Sequence, residues 1–537
     1  MKFSPHRLFV CLAVTAFGSA VLAGPVQDPK TEPVKQEQAS IDPAALKSML
    51  DEIDTYAAKV KSDWNVPGMA VAIVKDDKVI FSKGYGVCEI NTERNVDGDT
   101  LFAIASNSKA FTAASLAILV DEGKLKWDDP VTKYLPDFQM PDAWVTREMT
   151  VRDLVCHRSG MDTFSGDLLW YDTTYSADDV ISRIRHLKPV SSFRSRYGYQ
   201  NLMFISAGKI LEKVSGKTWG AFVRTRVLDP LGMKRTTTSV IEMKDNFALP
   251  HNESLGNGLR VLPPGNVDNS WGACGLNSSV NDIARWMRMQ LGHGSFDGKQ
   301  IVSREQIWDM WQPYTVMPIS EGAFQANPAR NFQAYGLGFA LYDWHGRKIV
   351  SHGGGLDGMI SQLAIVPGEN LGVIVLTNSE SSASRYVRDR VLECFLGVTN
   401  RPDRSAEGIA AQAKSDQSDA EAREKQNAAR VPDAKPTLAL DGYAGRYTGD
   451  LYGDVNITLE GDHLVLRLGP APNFVADLEP WHYNTFQIKW RDTVKYNFPR
   501  GFVNFTIDAT GKPDQLIIDQ PNNDFWFYEL DLHRVKE

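Results

Sequence analysis

The placement of strands along this chain constrains its fold more than any other feature. Two apolar, β-branched runs, Gly68–Lys75 (GMAVAIVK) and Val79–Val87, flank Asp76-Asp77-Lys78 and read as a β-hairpin. Strand patterns return only at Lys348–Ser351, Met359–Val366 and Leu371–Thr377, each bounded by Gly, Pro or Asn. Long helical patterns broken by Pro/Gly loops fill the interval. A hairpin at one end and strands at the other predict one α/β (α+β) domain over residues 41–400, with a sheet that draws on both ends.

The flanking segments differ in character. Residues 401–436 replace apolar bulk with Ala, Gln, Glu and Lys, and predict a charged, helix-leaning linker. In 437–537 short strands are punctuated by turns: Val455–Leu459 before Glu460-Gly461-Asp462, Leu464–Leu468, Phe502–Ile507 before Gly511, and Leu516–Ile518. That rhythm predicts a small all-β, barrel-like domain. Its aromatics Trp481, Trp490, Phe525, Trp526, Phe527 and Tyr528 are expected in its core. At the other end Lys2, His6 and Arg7 precede an apolar run from Leu8 to Leu22, and Val21-Leu22-Ala23 before Gly24 fits a cleavage site. Residues 1–23 are therefore predicted to be a signal peptide, and the polar 24–40 a leader. The mature protein is expected in the periplasm or outside the cell.

Charge and cysteine usage narrow the function. With 58 Lys+Arg against 66 Asp+Glu and a net charge of −8, the chain lacks the basic excess that nucleic-acid binding needs. No stretch after residue 25 approaches the ~20 apolar residues of a membrane span, so no integral membrane segment is expected after cleavage. Cys88, Cys156, Cys274 and Cys394 are widely spaced without a C-x-x-C pair, and predict buried free thiols. The histidines show no ligand spacing, and neither a metal nor a cofactor is expected. Gly353–Gly358 matches G-x-G-x-x-G, but a strand pattern follows it where a dinucleotide site needs a helix.

Three short motifs carry chemistry. Ser106-Asn107-Ser108-Lys109 opens an apolar helical run, Ala110–Glu122, stopped by Gly123. Three residues apart on a helix, Ser106 and Lys109 share a face. A serine hydroxyl needs a base to become a nucleophile, and apolar surroundings favour the neutral amine that can act as one. In Tyr199-Gln200-Asn201 an extended backbone would turn the phenol and the amide to one side, ahead of a helix from Leu202 to Val214. His352-Gly353-Gly354 ends the Lys348–Ser351 strand. Its glycines admit a substrate backbone, and the N–H of Gly355 is available to an oxyanion.

In this order the three motifs resemble those of the serine β-lactamase/penicillin-binding-protein superfamily, in its class C-like branch (peptidase family S12) with D-aminopeptidases and family VIII esterases. Pro67-Gly68-Met69, Asp153–Gly160, Pro230–Met233 and Tyr335–Phe339 add to the resemblance, which covers about residues 45–398. It implies an antiparallel sheet flanked by helices with a helical subdomain, and it likens 437–537 to a lipocalin-like barrel. It further implies that Ser106 is the acylated nucleophile, Lys109 the base, and Tyr199 the proton partner of leaving group and water. Asn201, His352, Gly354 and Gly355 would bind substrate, with the Ser106 and Gly355 N–H groups holding the oxyanion.

One departure bears on the substrate. Penicillin-recognising members carry Lys at the position of His352, and a histidine is neutral much of the time near pH 7. Weaker carboxylate anchoring favours a carboxylesterase or a peptidase of D-amino-acid-containing peptides, acting on a small-molecule or peptide substrate. A β-lactamase or D,D-carboxypeptidase, a non-catalytic peptidoglycan or β-lactam binding module, and a carrier using the last domain stand as alternatives. A homo-oligomer is left open.

Overall fold

A computed structural model describes residues 41–254 and 258–536; the predicted signal peptide and leader lie outside them. Among the described residues no helix is long and apolar enough to cross a membrane.

An eight-stranded antiparallel sheet runs Lys78–Gly86, Gly68–Lys75, Leu371–Thr377, Met359–Val366, Arg347–Leu356, Ala340–Trp344, Gln333–Tyr335, Thr315–Val316. The two ends of the domain meet where Val71 pairs with Val375. Alternation along the strands sends Val71, Ile73, Val373 and Val375 to one face and Ala70, Ala72, Ile374 and Leu376 to the other. The first face packs on Ile53, Ala57 and Val60 of the Pro43–Asp63 helix and on Val387 and Val391 of Ala383–Phe395. The second packs on Ile283, Ala284 and Met287 of Val280–Leu291. Both faces are covered, which is why these strands read as nearly unbroken apolar runs.

The Arg347–Leu356 strand differs from the sequence reading in one respect. It does not stop at Ser351 but continues through His352 and the glycines to Leu356, in hairpin register with Met359–Val366. Glycine has low strand propensity, yet ladder pairing of Gly353 with Gln362 and Gly354 with Ser361 holds the segment extended.

The linker region forms an exposed helix, Arg404–Ala428, in which only Ser405 is buried. Beyond it eight antiparallel strands, from Gly445–Gly449 to Leu532–Arg534, close into a barrel where Thr448 pairs with His533. Tyr447, Phe474, Phe486, Trp490, Phe505 and Phe527 are buried among its apolar side chains. Trp526 and Tyr528 are not core residues: Tyr528 is 66% exposed, and the Trp526 Nε1–H donates to the Thr163 carbonyl at 2.6 Å. Aromatic composition alone does not separate filling a barrel from docking it. Glu529 beside them accepts from the Ser165 hydroxyl at 2.5 Å and the Gly166 N–H at 2.8 Å. Further along, the Tyr175 hydroxyl donates to the Tyr452 carbonyl at 2.6 Å. The barrel thereby seats on the loops 163–175 of the helical region. Among the described residues Cys88, Cys156, Cys274 and Cys394 are buried free thiols.

Candidate active site

Ser106 sits in a tight turn, Ala105–Asn107, that leads into the helix Ser108–Asp121. The residue before it, Ala105, has φ of 46°, a left-handed conformation that a side chain disfavours. Surrounding contacts hold the turn: the Asn107 amide donates to Ser361 Oγ at 2.8 Å, and that hydroxyl donates to the Ile104 carbonyl at 2.8 Å. The helix is apolar nearly all round and buried from Ser108 to Leu119, so Lys109 is carried into the core rather than to solvent.

Lys109 is fully buried. Its Nζ donates to Ser106 Oγ at 2.9 Å, Asn201 Oδ1 at 2.7 Å and the Ala273 carbonyl at 3.1 Å, and it lies 4.7 Å from the centre of the Tyr199 ring. Burial disfavours the ammonium form and pulls its pKa down to about 7, against smaller raising effects of Cys274 and Asp167.

Tyr199 and Asn201 converge on the same point. Gln200 between them is extended, and Asn201 begins the helix Asn201–Ser215, which ends at left-handed Gly216. Burial pushes the Tyr199 phenol well above its usual value, while a hydrogen bond with Ser106 pulls it the other way. Buried His157 packs its ring 4.2 Å from that of Tyr199 and accepts the Gln200 N–H on Nδ1 at 2.9 Å. It thus supports the Tyr-Gln-Asn segment from behind.

His352 is buried too, with Nε2 2.7 Å from the Tyr335 hydroxyl and Nδ1 2.5 Å from the Gly353 carbonyl. Burial first, then the nearby Lys109, lower its pKa to about 3, so the ring is uncharged at neutral pH. Gly354 lies directly against the Ser106 turn, and a methyl group there would stand 2.9 Å from Ser106 N. Gly355, the next residue, is exposed to the cleft. Gly338, left-handed at φ 75°, lets the Tyr335–Phe339 loop approach the same helix: a Cβ on it would stand 2.8 Å from the Lys109 carbonyl. All seven residues singled out in the sequence are thus gathered around one turn.

The cleft above Ser106 has a volume of about 840 Å³. Several of its lining groups carried no signal in the sequence. Asp167 hydrogen-bonds the far side of Asn201, accepting from Nδ2 at 2.6 Å. The barrel adds Lys495, Phe498, Asp524 and Phe525 to the wall. The Phe525 ring packs, tilted, 4.3 Å from that of Tyr171, whose hydroxyl donates to Asp357 at 2.7 Å. Lys495 is ion-paired with Asp172 at 2.8 Å. Among the described residues no group of His, Cys, Asp and Glu is arranged to hold a metal ion.

Comparison with known proteins places these features. The family described as Beta-lactamase matches residues 54–394, and one described as Domain of unknown function (DUF3471) matches 429–534. A protein named unguisins hydrolase ungD', from Aspergillus campestris, is 32% identical over 337 residues, 60% of each chain. This chain therefore spans less than two thirds of that relative's length. Penicillin-binding protein 4 of Amycolatopsis lactamdurans is 29% identical over 61% of this chain and 84% of its own. In fold, the chain is similar to the octameric penicillin-binding protein homologue from Pyrococcus abyssi, with a TM-score of 0.59 and 24% identity over 90% of this chain and all of that one.

Proposed function

The chain belongs to the beta-lactamase family of serine hydrolases, and on that premise we propose an exported enzyme that opens amide or ester bonds through an acyl-enzyme on Ser106. The observation that carries this reading is the reach of buried Lys109 Nζ to Ser106 Oγ at 2.9 Å. An amine whose pKa is lowered to about 7 is a competent base near neutral pH.

Lys109 takes the Ser106 hydroxyl proton as Oγ bonds to the substrate carbonyl carbon. The N–H groups of Ser106 and Gly355 receive the oxyanion. As the carbon–nitrogen or carbon–oxygen bond breaks, the Tyr199 phenol protonates the leaving group and is recharged from Lys109. Water then attacks the acyl-enzyme, losing its proton along the same path, and Ser106 is released. Lys109 and Tyr199 share these protons, so their titration belongs to the pair. Asn201 keeps one amide N–H and one oxygen lone pair for substrate, the others being taken by Asp167 and Lys109.

The uncharged, buried His352 supports ester or peptide substrates over carboxylate-bearing β-lactams, since it offers no cation where penicillin-recognising relatives carry lysine. The test is intact-mass labelling with a fluorophosphonate and a penicillin, followed by turnover of esters, D-amino-acid amides and β-lactams. We expect a single fluorophosphonate adduct on Ser106, its loss in Ser106→Ala, and faster ester or amide than β-lactam turnover. Full activity in Ser106→Ala would remove the acyl-enzyme, and dominant β-lactam hydrolysis would reverse the substrate assignment.

A further inference from the structure

Behind the Ser106–Lys109–Asn201 group lies a buried carboxyl that the acyl-transfer steps leave unused. Asp167 belongs to a short turn, Asp167–Leu169, in the loop on which the barrel is seated. It is 2% exposed. Its Oδ2 accepts the Asn201 Nδ2–H at 2.6 Å, while Asn201 Oδ1 accepts from Lys109 Nζ at 2.7 Å. Buried carboxyls are costly unless hydrogen-bonded, and their partners are then oriented by them.

An amide has two ends that differ only in hydrogen-bonding sense. If Asn201 turned over, its NH₂ would face the Lys109 amine, donor against donor, and Lys109 would lose the acceptor that aims it at Ser106. Asp167 disfavours that rotamer: in the observed pair its Oδ2 accepts an amide N–H, and a turned amide would present Oδ1 instead, which a carboxylate cannot pair with and a protonated acid meets only by re-aiming its one O–H. We propose that Asp167 is a positioning residue: by fixing the orientation of the Asn201 amide it aims the Lys109 amine at Ser106.

The inference rests on the acyl-enzyme reading above. It has an electrostatic corollary. The groups facing Lys109 are Ser106, Asn201, the Tyr199 and Phe204 rings, Cys274, His157, His352 and Asp167. Of these Asp167 and Cys274 favour the ammonium form. Asp167 in turn is faced by Asn201, Trp170, Lys109 and Asp524 of the barrel. Burial raises the Asp167 pKa to about 8, so at the Lys109 pKa of about 7 the carboxyl is largely protonated, and its removal should leave the acid limb of the pH profile in place.

The experiment compares wild type, Asp167→Asn and Asp167→Ala in p-nitrophenyl acetate hydrolysis across pH, with fluorophosphonate labelling of each. An asparagine at 167 can either accept from Asn201 or donate to it, so Asp167→Asn keeps a partner without dictating the sense of the amide, and should lose part of kcat/KM and label more slowly with the acid limb in place. Asp167→Ala frees the amide and should lose about 10–100-fold in kcat/KM, the scale of a misplaced catalytic group. Asp167→Ala at the wild-type rate, or Asp167→Asn losing as much as Asp167→Ala, would overturn the proposal. If Asp167→Ala does not fold, as read by circular dichroism, a wild-type labelling rate in Asp167→Asn overturns it alone. Absence of labelling in wild type would instead sink the acyl-enzyme reading, and this inference with it.

Discussion

Gly354 is pressed against the turn that carries Ser106: a methyl group on it would stand 2.3 Å from the Ile104 carbonyl, 2.5 Å from Ser361 Oγ and 2.9 Å from Ser106 N. Two of those three atoms are backbone and cannot turn aside. Gly355, one residue on, faces only the Ile360 side chain, at 3.4 Å. The two glycines therefore differ in what they allow. Gly354→Ala should push the strand off the Ser106 turn and cost about 100-fold or more in kcat/KM. Gly355→Ala should stay much closer to wild type. Ester turnover measured side by side on the two variants checks the contrast.

Lys109 sets the pH dependence. With its pKa lowered to about 7 by burial, the amine is mostly neutral above that value and protonated below it. A base must be neutral to take the serine proton, so kcat/KM should rise with pH through about 7. Lys109→Arg keeps a cation that cannot shed its proton, and should lose about 10²–10⁴-fold. A wild-type profile flat from pH 5 to 9 would remove Lys109 as the base.

The same burial makes Lys109 a stability liability. In the unfolded chain its amine has the ordinary value of 10.5, against about 7 when folded. Between these values the unfolded state binds the extra proton, so the fold loses stability as pH falls from 10.5 to about 7 and no further below that. The full cost is on the order of 5 kcal/mol. Lys109→Met removes it, while leaving the Asn201 and Ala273 oxygens short of a donor offsets about 1–3 kcal/mol. The inactive variant should therefore melt at or above the wild-type temperature at pH 7, and its advantage should shrink toward pH 10. Calorimetry at both pH values measures the difference.

How far the site could be read from sequence follows from the range of its contacts. Ser106 with Lys109, and Tyr199 with Asn201, are spaced by helical and extended geometry, so their pairing is local and visible. The strand boundary at Ser351 was misplaced because glycines argue against strand locally, whereas the hairpin with Met359–Val366 extends it to Leu356. Asp167 carries no motif: its meaning comes from Asn201, reached only through the tertiary fold. Lys495, Asp524 and Phe525 enter the cleft through the docking of the barrel, which no sequence spacing encodes. The uncharged state of His352 was partly legible, since histidine is a weak cation, but its burial beside Lys109 makes it stricter than the residue type implies.

That burial predicts what a lysine at 352 would do. Its ammonium would replace a neutral ring hydrogen-bonded to Tyr335 at 2.7 Å and would share buried space with Lys109, whose charge already disfavours protonation of His352. Like charges there oppose each other. His352→Lys should lower the melting temperature and slow ester turnover rather than confer penicillin hydrolysis. Efficient turnover of a chromogenic cephalosporin by this variant would contradict the expectation.

The barrel touches the segment that carries Asp167 through Glu529. Its carboxylate accepts from the Ser165 hydroxyl and the Gly166 N–H, at 2.5 and 2.8 Å, immediately before Asp167 in the chain. Glu529→Ala leaves two donors facing an apolar gap, a cost of about 1–3 kcal/mol, and frees the loop whose next residue holds Asn201. Both stability and kcat/KM should fall, and the 163–170 loop should become sensitive to limited proteolysis. Glu529→Gln retains an acceptor and should sit between the two. The opposite result, a looser barrel with unchanged turnover, would mean that Asp167 is held by the turn Asp167–Leu169 alone and that barrel docking contributes only to stability.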